Sequence, residues 1–172
     1  CTSLTSITIP SSVTSIGTDA FANNSSLTSI TVDSNNLVYD SRNNSNAIIE
    51  TATDKLVVGC SSTIIPNSVT SIGSRAFKGS SIISITIPNS VNSIEADAFL
   101  DYTNLSIVIF DNTIGWYVAE LPNAVSGTNM TVTNTSTNAT NLKSAYHAYY
   151  WKSSIYKVEF NSNGGFGEMA DQ

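Results

Sequence analysis

The chain has 172 residues, a formal net charge of −6 and only 12% charged residues, with no cluster of Lys or Arg. It therefore lacks the basic footprint needed to displace counterions from nucleic acid or to hold an anionic membrane surface. Hydrophobic residues make up 41%, enough to fill a continuous core, yet no run approaches the ~18 apolar residues of a membrane-spanning helix, and no signal peptide is visible. Ser, Thr and Asn supply about two-fifths of the chain, so hydroxyls and amides take over the solubilising role that charge plays in most soluble domains.

The first element is Leu4-Thr5-Ser6-Ile7-Thr8-Ile9, whose Ile7–Thr8–Ile9 alternation has the period of a half-buried strand. Pro10 has no N–H for a ladder and suits the strand's end. Val13 and Ile16 form a second short extended segment, Gly17 is placed to take a positive φ at a turn, and Ala20-Phe21 follows where the coil bends back. Residues 4–27 are written again as residues 82–105, a period of 23, and a third copy occupies residues 60–81, a period of 22. Self-similarity at about 20–29 residues with an L-x-x-L-x-L opening predicts a mainly β solenoid of leucine-rich repeats. A single rung cannot bury its apolar face alone, so stacking must do it.

The predicted core of the third rung is Cys60, Thr63, Ile65, Val69, Ile72 and Phe77, and that of the fourth is Ile82, Ile85, Ile87, Val91, Ile94 and Phe99. Phe21, Phe77 and Phe99 are expected to form an aromatic spine. Cys1 and Cys60 fall about two rungs apart, some ~9–10 Å at ~4.8 Å per rung, beyond the ~7 Å that a disulfide spans, so two free and mostly buried thiols are expected. Cys1 is also open to reading as a lipidated N-terminus, although Asn24 and Gly79 stand at equivalent repeat positions before Leu27 and Ile82. The chain opens inside the pattern without a polar cap, as a fragment of a longer array would.

One rung is stretched, with 33 residues separating Leu27 from Cys60. Within this insertion (about residues 33–59), residues 46–51 and 55–58 are strand-like runs around Ala52-Thr53-Asp54, a hairpin signature. A hairpin breaking out of one rung is a natural carrier of specificity, because insertions in repeat proteins often map to a binding face. Tyr39 and Arg42 are its candidate binding residues. The acids Asp33, Asp40, Glu50 and Asp54 match no calcium-loop spacing and read as solvated turn residues.

The outward strand positions are Ser6 and Thr8, Ser29 and Thr31, Ser62 and Ile64, Ser84 and Thr86, then Ile107 and Ile109. They predict a hydroxyl ladder running into an apolar patch that the C-terminal segment covers. β-branched Thr suits a strand and Ser keeps it wet; the alternative is a ligand-facing surface, with Ser6, Thr8, Ser29, Thr31, Ser84 and Thr86 as candidates. The repeat fades after Thr113. Leu142, Ala145, Tyr146 and Tyr149 lie on one helical face, with Asn138 or Asn141 as cap, and predict a capping helix over Trp116 and Trp151. The Gly, Ser, Thr and Asn stretch from 126 to 140 reads as a loop.

The string L-x-S-I-x-I-P-x-S-V-x-x-I-x-x-x-A-F, at residues 4–21 and 82–99 and in part at 65–77, resembles the BspA-like (Treponema pallidum-type) leucine-rich repeats over about residues 1–112. The chain departs from them in keeping the usual Cys after Ala-Phe only at Cys1 and in opening only some rungs with Leu. Residues 156–172, from Tyr156 through Asn163-Gly164-Gly165, look like the start of a Listeria–Bacteroides repeat. The expected organisation is a solenoid at 1–112, a capping segment with a helix at 113–155 and that truncated module at 156–172. The resemblance implies a secreted bacterial cell-surface protein and, as in some members, adhesion to a host or bacterial surface protein; the outward strand face leaves a glycan open as the other partner. The shared motif is buried scaffold and carries over no binding residue.

No chemistry emerges. His147 is the only histidine, so any His-based metal set or Ser-His-Asp array would hang on it, and its setting among tyrosines favours a structural role. No G-x-S-x-G, Walker loop, H-E-x-x-H or C-x-x-C occurs, and the Glu95/Asp97 pair falls on a turn. A non-enzymatic, monomeric interaction module without cofactor or metal is expected, with a structural spacer or an accessory region of a secreted enzyme as alternatives.

Overall fold

The computed structural model describes residues 2–100, 104–133 and 135–154. Five rungs, opening at Leu4, Leu27, Cys60, Ile82 and Leu105, wind into about four turns of a mainly β solenoid. Each regular rung opens on a strand: β1 (Ser6–Ile9), β2 (Ser29–Val32), β7 (Ser84–Ile87) and β9 (Ile107–Phe110). β1 pairs in parallel with β2, Ile7 opposite Ile30, and β7 with β9, Ile85 opposite Val108. Both offsets equal the 23-residue period, so inward residues stack on inward ones and outward on outward. The alternation works as the sequence requires: Ile85, Ile87, Val108 and Phe110 are buried while Ser84, Thr86, Ile107 and Ile109 face outward.

The second segment of each rung builds another sheet. β6 (Ser71–Ile72) and β8 (Ser93–Ile94) pair in parallel. On the β6 side this sheet continues into β5 (Lys55–Gly59), β4 (Ala47–Glu50) and β3 (Tyr39–Asp40). On the β8 side it continues into β12 (Tyr150–Ser153), β10 (Trp116–Ala119) and β11 (Thr128–Asn129). The predicted hairpin is β4–β5, but it does not break out of its rung. Ala47, Ile48, Ile49 and Leu56 are all 0% exposed. Ile48 and Val58 pack with rungs 1 and 2; Ala47, Ile49 and Leu56 pack with rungs 3 to 5. The hairpin divides the core in two, and its nearly continuous apolar run is the mark of a strand buried on both faces.

The predicted core residues of rungs 3 and 4 are buried without exception. In rung 1 Ile9 is buried, but Leu4, Ile7, Val13, Ile16 and Phe21 are only partly buried. Phe77 and Phe99 stack with centroids 5.0 Å apart and planes inclined by 2°. Phe21 does not extend this spine: it packs in the other half of the core, because rung 2 has no phenylalanine to bridge the two. Gly59 stands there instead, and a Cβ on it would lie 2.1 Å from Phe77 Cε1.

The corner of each rung is a tight turn closed by Ala20 N–H to Gly17 O, Ala76 N–H to Gly73 O and Ala98 N–H to Glu95 O. Gly17 does not take the positive φ expected of it, since it opens the turn. The left-handed residue is the third one, Asp19, Arg75 or Asp97, with φ of 63°, 58° and 62°, as a type II turn demands. Two residues beyond phenylalanine a second left-handed position is filled by Asn23 or Gly79, so the counterpart of Gly79 is Asn23 rather than Asn24.

The C-terminal cap is more β than helical. Trp116 and Trp151 lie beneath it as expected, each 1% exposed, with Phe110 4.9 Å from Trp116 in an edge-on contact. The helix α1 (Thr135–Thr140) runs on as a π-helical turn over Asn141–Ala145 and ends before Tyr149. The expected loop at 126–140 therefore contains β11 and α1. Asn138 is not a cap; it is 0% exposed, and its Nδ2 donates to Val108 O at 3.0 Å and Val132 O at 2.9 Å. One backbone carbonyl of rung 5 and one of the cap would otherwise lack this donor, and that need outweighs helical periodicity here. Cys60 is a free, buried thiol, whose pKa burial pushes up, against a smaller pull from hydrogen bonds to Ser62 and Thr63. Cys1 and the 156–172 module lie outside the described residues.

Candidate functional site

Three places combine chemistry-bearing side chains with exposure: the ladder face, the knot around Arg42 and the corner edge of the rungs. On the ladder face Ser6, Thr8, Thr31, Ser84 and Thr86 are exposed, and Ser29 is half-buried. The ladder is not continuous. Residues 62–65 of rung 3 form no strand, and Ile64 N–H donates to Ser45 O at 3.0 Å instead of to a neighbouring rung's strand. The insertion thus displaces rung 3 from the regular stack. A recess of about 280 Å³ between rung 3 and β7, lined by Thr63, Ile65, Ser84 and Thr86 among others, separates the two halves of the ladder. Among the described residues nothing covers the apolar end, where Ile107 and Ile109 are 41% and 42% exposed; on rung 3 Ile64 is 72% exposed.

The two candidates from the insertion are not at a free surface. Tyr39 is only 7% exposed and belongs to the core shared by rungs 1 and 2; at β3 its side chain falls on the inward face of the strand. Arg42 is spent within the chain. Its Nε donates to Asp40 Oδ1 at 2.8 Å and its Nη2 to Asp40 Oδ2 at 2.6 Å, while its Nη1 reaches Asp54 Oδ1 at 2.6 Å and Ser68 Oγ at 3.3 Å. Partial burial pushes the Asp40 carboxyl up, but hydrogen bonds and charge from Arg42, with the Thr51 hydroxyl, outweigh it and leave Asp40 below its ordinary value. The Asp40 hydrogen bonds raise Arg42 in turn, against desolvation. Arg42 is a staple joining β3, the hairpin turn and rung 3, and two of the four acids weighed as calcium ligands converge on it instead.

The corner edge carries a second group of ion pairs. Asp19 Oδ2 lies 2.9 Å from Arg75 Nη1 and 3.5 Å from Lys78 Nζ, and Lys55 Nζ lies 2.7 Å from Glu95 Oε1. His147 Nδ1 is 2.8 Å from Asp97 Oδ1, and Asp97 N–H donates to His147 O, so the histidine ties the cap to rung 4 as a structural residue. Between the corners of rungs 1 and 3 lies a cavity of about 330 Å³. Sequence reasoning missed it. The signal was present: rung 3 runs ten residues from Ile72 to Ile82, whereas rung 2 runs four from Leu56 to Cys60 and so lacks an Ala-Phe corner. Among the described residues no group of three or more His, Cys, Asp or Glu side chains is placed to hold a metal ion. No helix there is long and apolar enough to cross a membrane.

A stacked hydroxyl strand face, parallel rungs and a 22–23-residue period define a leucine-rich-repeat module. The chain belongs to the BspA type leucine rich repeat family, whose profile matches residues 1–56 and 42–152 in six copies. A leucine rich cell surface protein from Faecalibacterium prausnitzii is 32% identical, with a TM-score of 0.51, over 62% of this chain and 30% of that one. A leucine-rich repeat protein from Eubacterium ventriosum is 22% identical over 61% of this chain and 36% of its own, with a TM-score of 0.44. The pneumococcal vaccine antigen PcpA is 20% identical over 62% and 27%, with a TM-score of 0.48. This chain thus spans about a third or less of those structures' length. No curated protein matches the sequence.

Proposed function

We propose that this chain is a non-catalytic interaction module of a bacterial cell-surface protein, which adheres to proteins of a host or of other cells through its ladder face. The observation that carries this reading is the exposed face itself. Ser6, Thr8, Thr31, Ser84 and Thr86 present hydroxyls beside the uncovered Ile64, Ile107 and Ile109. Hydrogen-bonding groups next to exposed apolar side chains are what a protein interface needs at its rim and centre. The family and the Faecalibacterium relative's description as a cell surface protein support display outside the cell. The same repeat family, with its one histidine held in a structural pair, favours binding over catalysis.

The test is surface plasmon resonance of the chain over a panel of immobilised extracellular-matrix proteins. Saturable binding to one of them is expected. A flat response across the panel contradicts the adhesion reading and favours the spacer, for which the repetition of identical Ser and Thr on successive rungs is the observation.

A further inference from the structure

The cavity at the corner edge has a specific origin. Gly59 N–H donates to Ala76 O at 2.8 Å, just as Phe77 N–H donates to Ala98 O at 2.9 Å. Gly59 therefore occupies the phenylalanine position of rung 2. Rung 3 reaches that position five residues after Ile72, but rung 2 reaches it three residues after its partner Leu56. β5 cuts the corner, and nothing in rung 2 corresponds to Ser74 and Arg75. The corners of rungs 1 and 3 consequently face each other across a missing layer. Beyond the gap they meet directly, with Asn23 N–H donating to Lys78 O at 3.1 Å. The notch is floored by Val57 and Val58, and its rim includes the exposed Thr18 and Ser74.

The wall chemistry narrows what the notch can take. Lys55, Arg75, Asp19 and Glu95 line it, and their charges cancel in two ion pairs. Asp19 is shared with Lys78 at 3.5 Å, so each lining charge is already paired and a free anion or cation could bind only by breaking a pair. A purely apolar ligand would desolvate both ion pairs without replacing their water, which is costly. A neutral ligand with hydroxyls on its edge and an apolar face suits both features. Its hydroxyls can donate to the Asp19 and Glu95 carboxylates and accept from Arg75 and Lys55, while the apolar face lies on Phe21, Val57 and Val58. At about 330 Å³ the notch sits at the small end of ligand sites, which run from about 300 to 1,000 Å³, so it holds one or two sugar rings. We propose that the missing corner of rung 2 is a binding site for a neutral sugar, as the terminal unit of a surface glycan. This site is separate from the ladder face, and either can fail without the other.

Saturation-transfer NMR of the chain with the methyl glycosides of glucose, galactose, mannose, N-acetylglucosamine and N-acetylgalactosamine tests it. At least one glycoside is expected to receive saturation. Gly17→Trp should abolish the transfer by filling the notch; a Cβ on Gly17 meets nothing within 4 Å, so the backbone need not move. Ser74→Phe, on the opposite wall, is the second filling variant, and Asp19→Asn should weaken binding several-fold. Circular dichroism and thermal melting establish that each variant is folded. The proposal is overturned if no glycoside receives saturation from the wild-type chain, or if transfer survives in the folded filling variants.

Discussion

Replacing Phe77 by alanine should remove a large part of the molecule's stability, whereas the same change at Phe21 should not. Phe77 is 1% exposed and is clamped between the ring of Phe99 and the bare backbone of Gly59. Core Phe→Ala changes cost about 3–5 kcal/mol, and the lost ring pair accounts for about 0.5–1.5 kcal/mol of that. Gly59 has no side chain with which to close the void, which places Phe77→Ala near the top of that range, at about 4–5 kcal/mol. Phe21 is already partly exposed and lacks the stacking, so Phe21→Ala should cost about 1–2 kcal/mol from area alone. Equilibrium urea unfolding measures both, followed by the fluorescence of the buried Trp116 and Trp151 and by far-ultraviolet circular dichroism. The two probes need to coincide, because repeat arrays lose all-or-none behaviour more readily than compact domains. Equal costs at the two positions, or a Phe77→Ala cost below about 2 kcal/mol, would refute the broken spine.

Gly59→Ala should destabilise by about 1–3 kcal/mol through overpacking, and adding Phe77→Leu should recover part of that loss, read as non-additivity in a double-mutant cycle. Asn138→Ala should cost about 1–3 kcal/mol in urea unfolding, because two buried carbonyls lose their donor; a change within about 0.5 kcal/mol would discount the role assigned to it. The Asp40 carboxyl lies below its ordinary value of 3.8 in the folded chain, so the stabilisation it brings is present above that value and is lost as pH falls through the folded pKa. Thermal melts of Asp40→Asn and the wild type should therefore differ most at neutral pH and converge only as pH falls below 3.8 and through the folded pKa; a gap that persists at the acid limit would contradict the assignment.

The regular rungs could be read from the sequence almost residue by residue, because each inward letter is forced by burial and recurs at a fixed interval. Ile85, Val91, Ile94 and Phe99 needed no more than the period to be placed. What the period could not convey lies where it fails. The hairpin was recognisable as two strands, but its destination depended on Ile48 and Ile49 each finding a separate half of the core, a matter of tertiary packing. The helix expected through Tyr149 ended early and β12 followed it, whose Trp151 pairs opposite Ile94 and joins rung 4 to β10. Tyr39 and Arg42 were chosen for belonging to the insertion; burial removes Tyr39 from the surface, and ion pairs within the chain occupy Arg42. The ladder residues were placed correctly on the outer face, although the displacement of rung 3 breaks their continuity.

The affinity of a ladder-face variant for whichever matrix protein the wild-type chain binds bears most directly on the proposed function. Thr31→Arg and Thr86→Arg together put one bulky side chain on each paired strand set, at exposed positions where stability should change by no more than about 0.5 kcal/mol. The account predicts binding at least about tenfold weaker, equivalent to about 1.4 kcal/mol, in a variant that melts like the wild type. Undiminished affinity in that folded variant would contradict it.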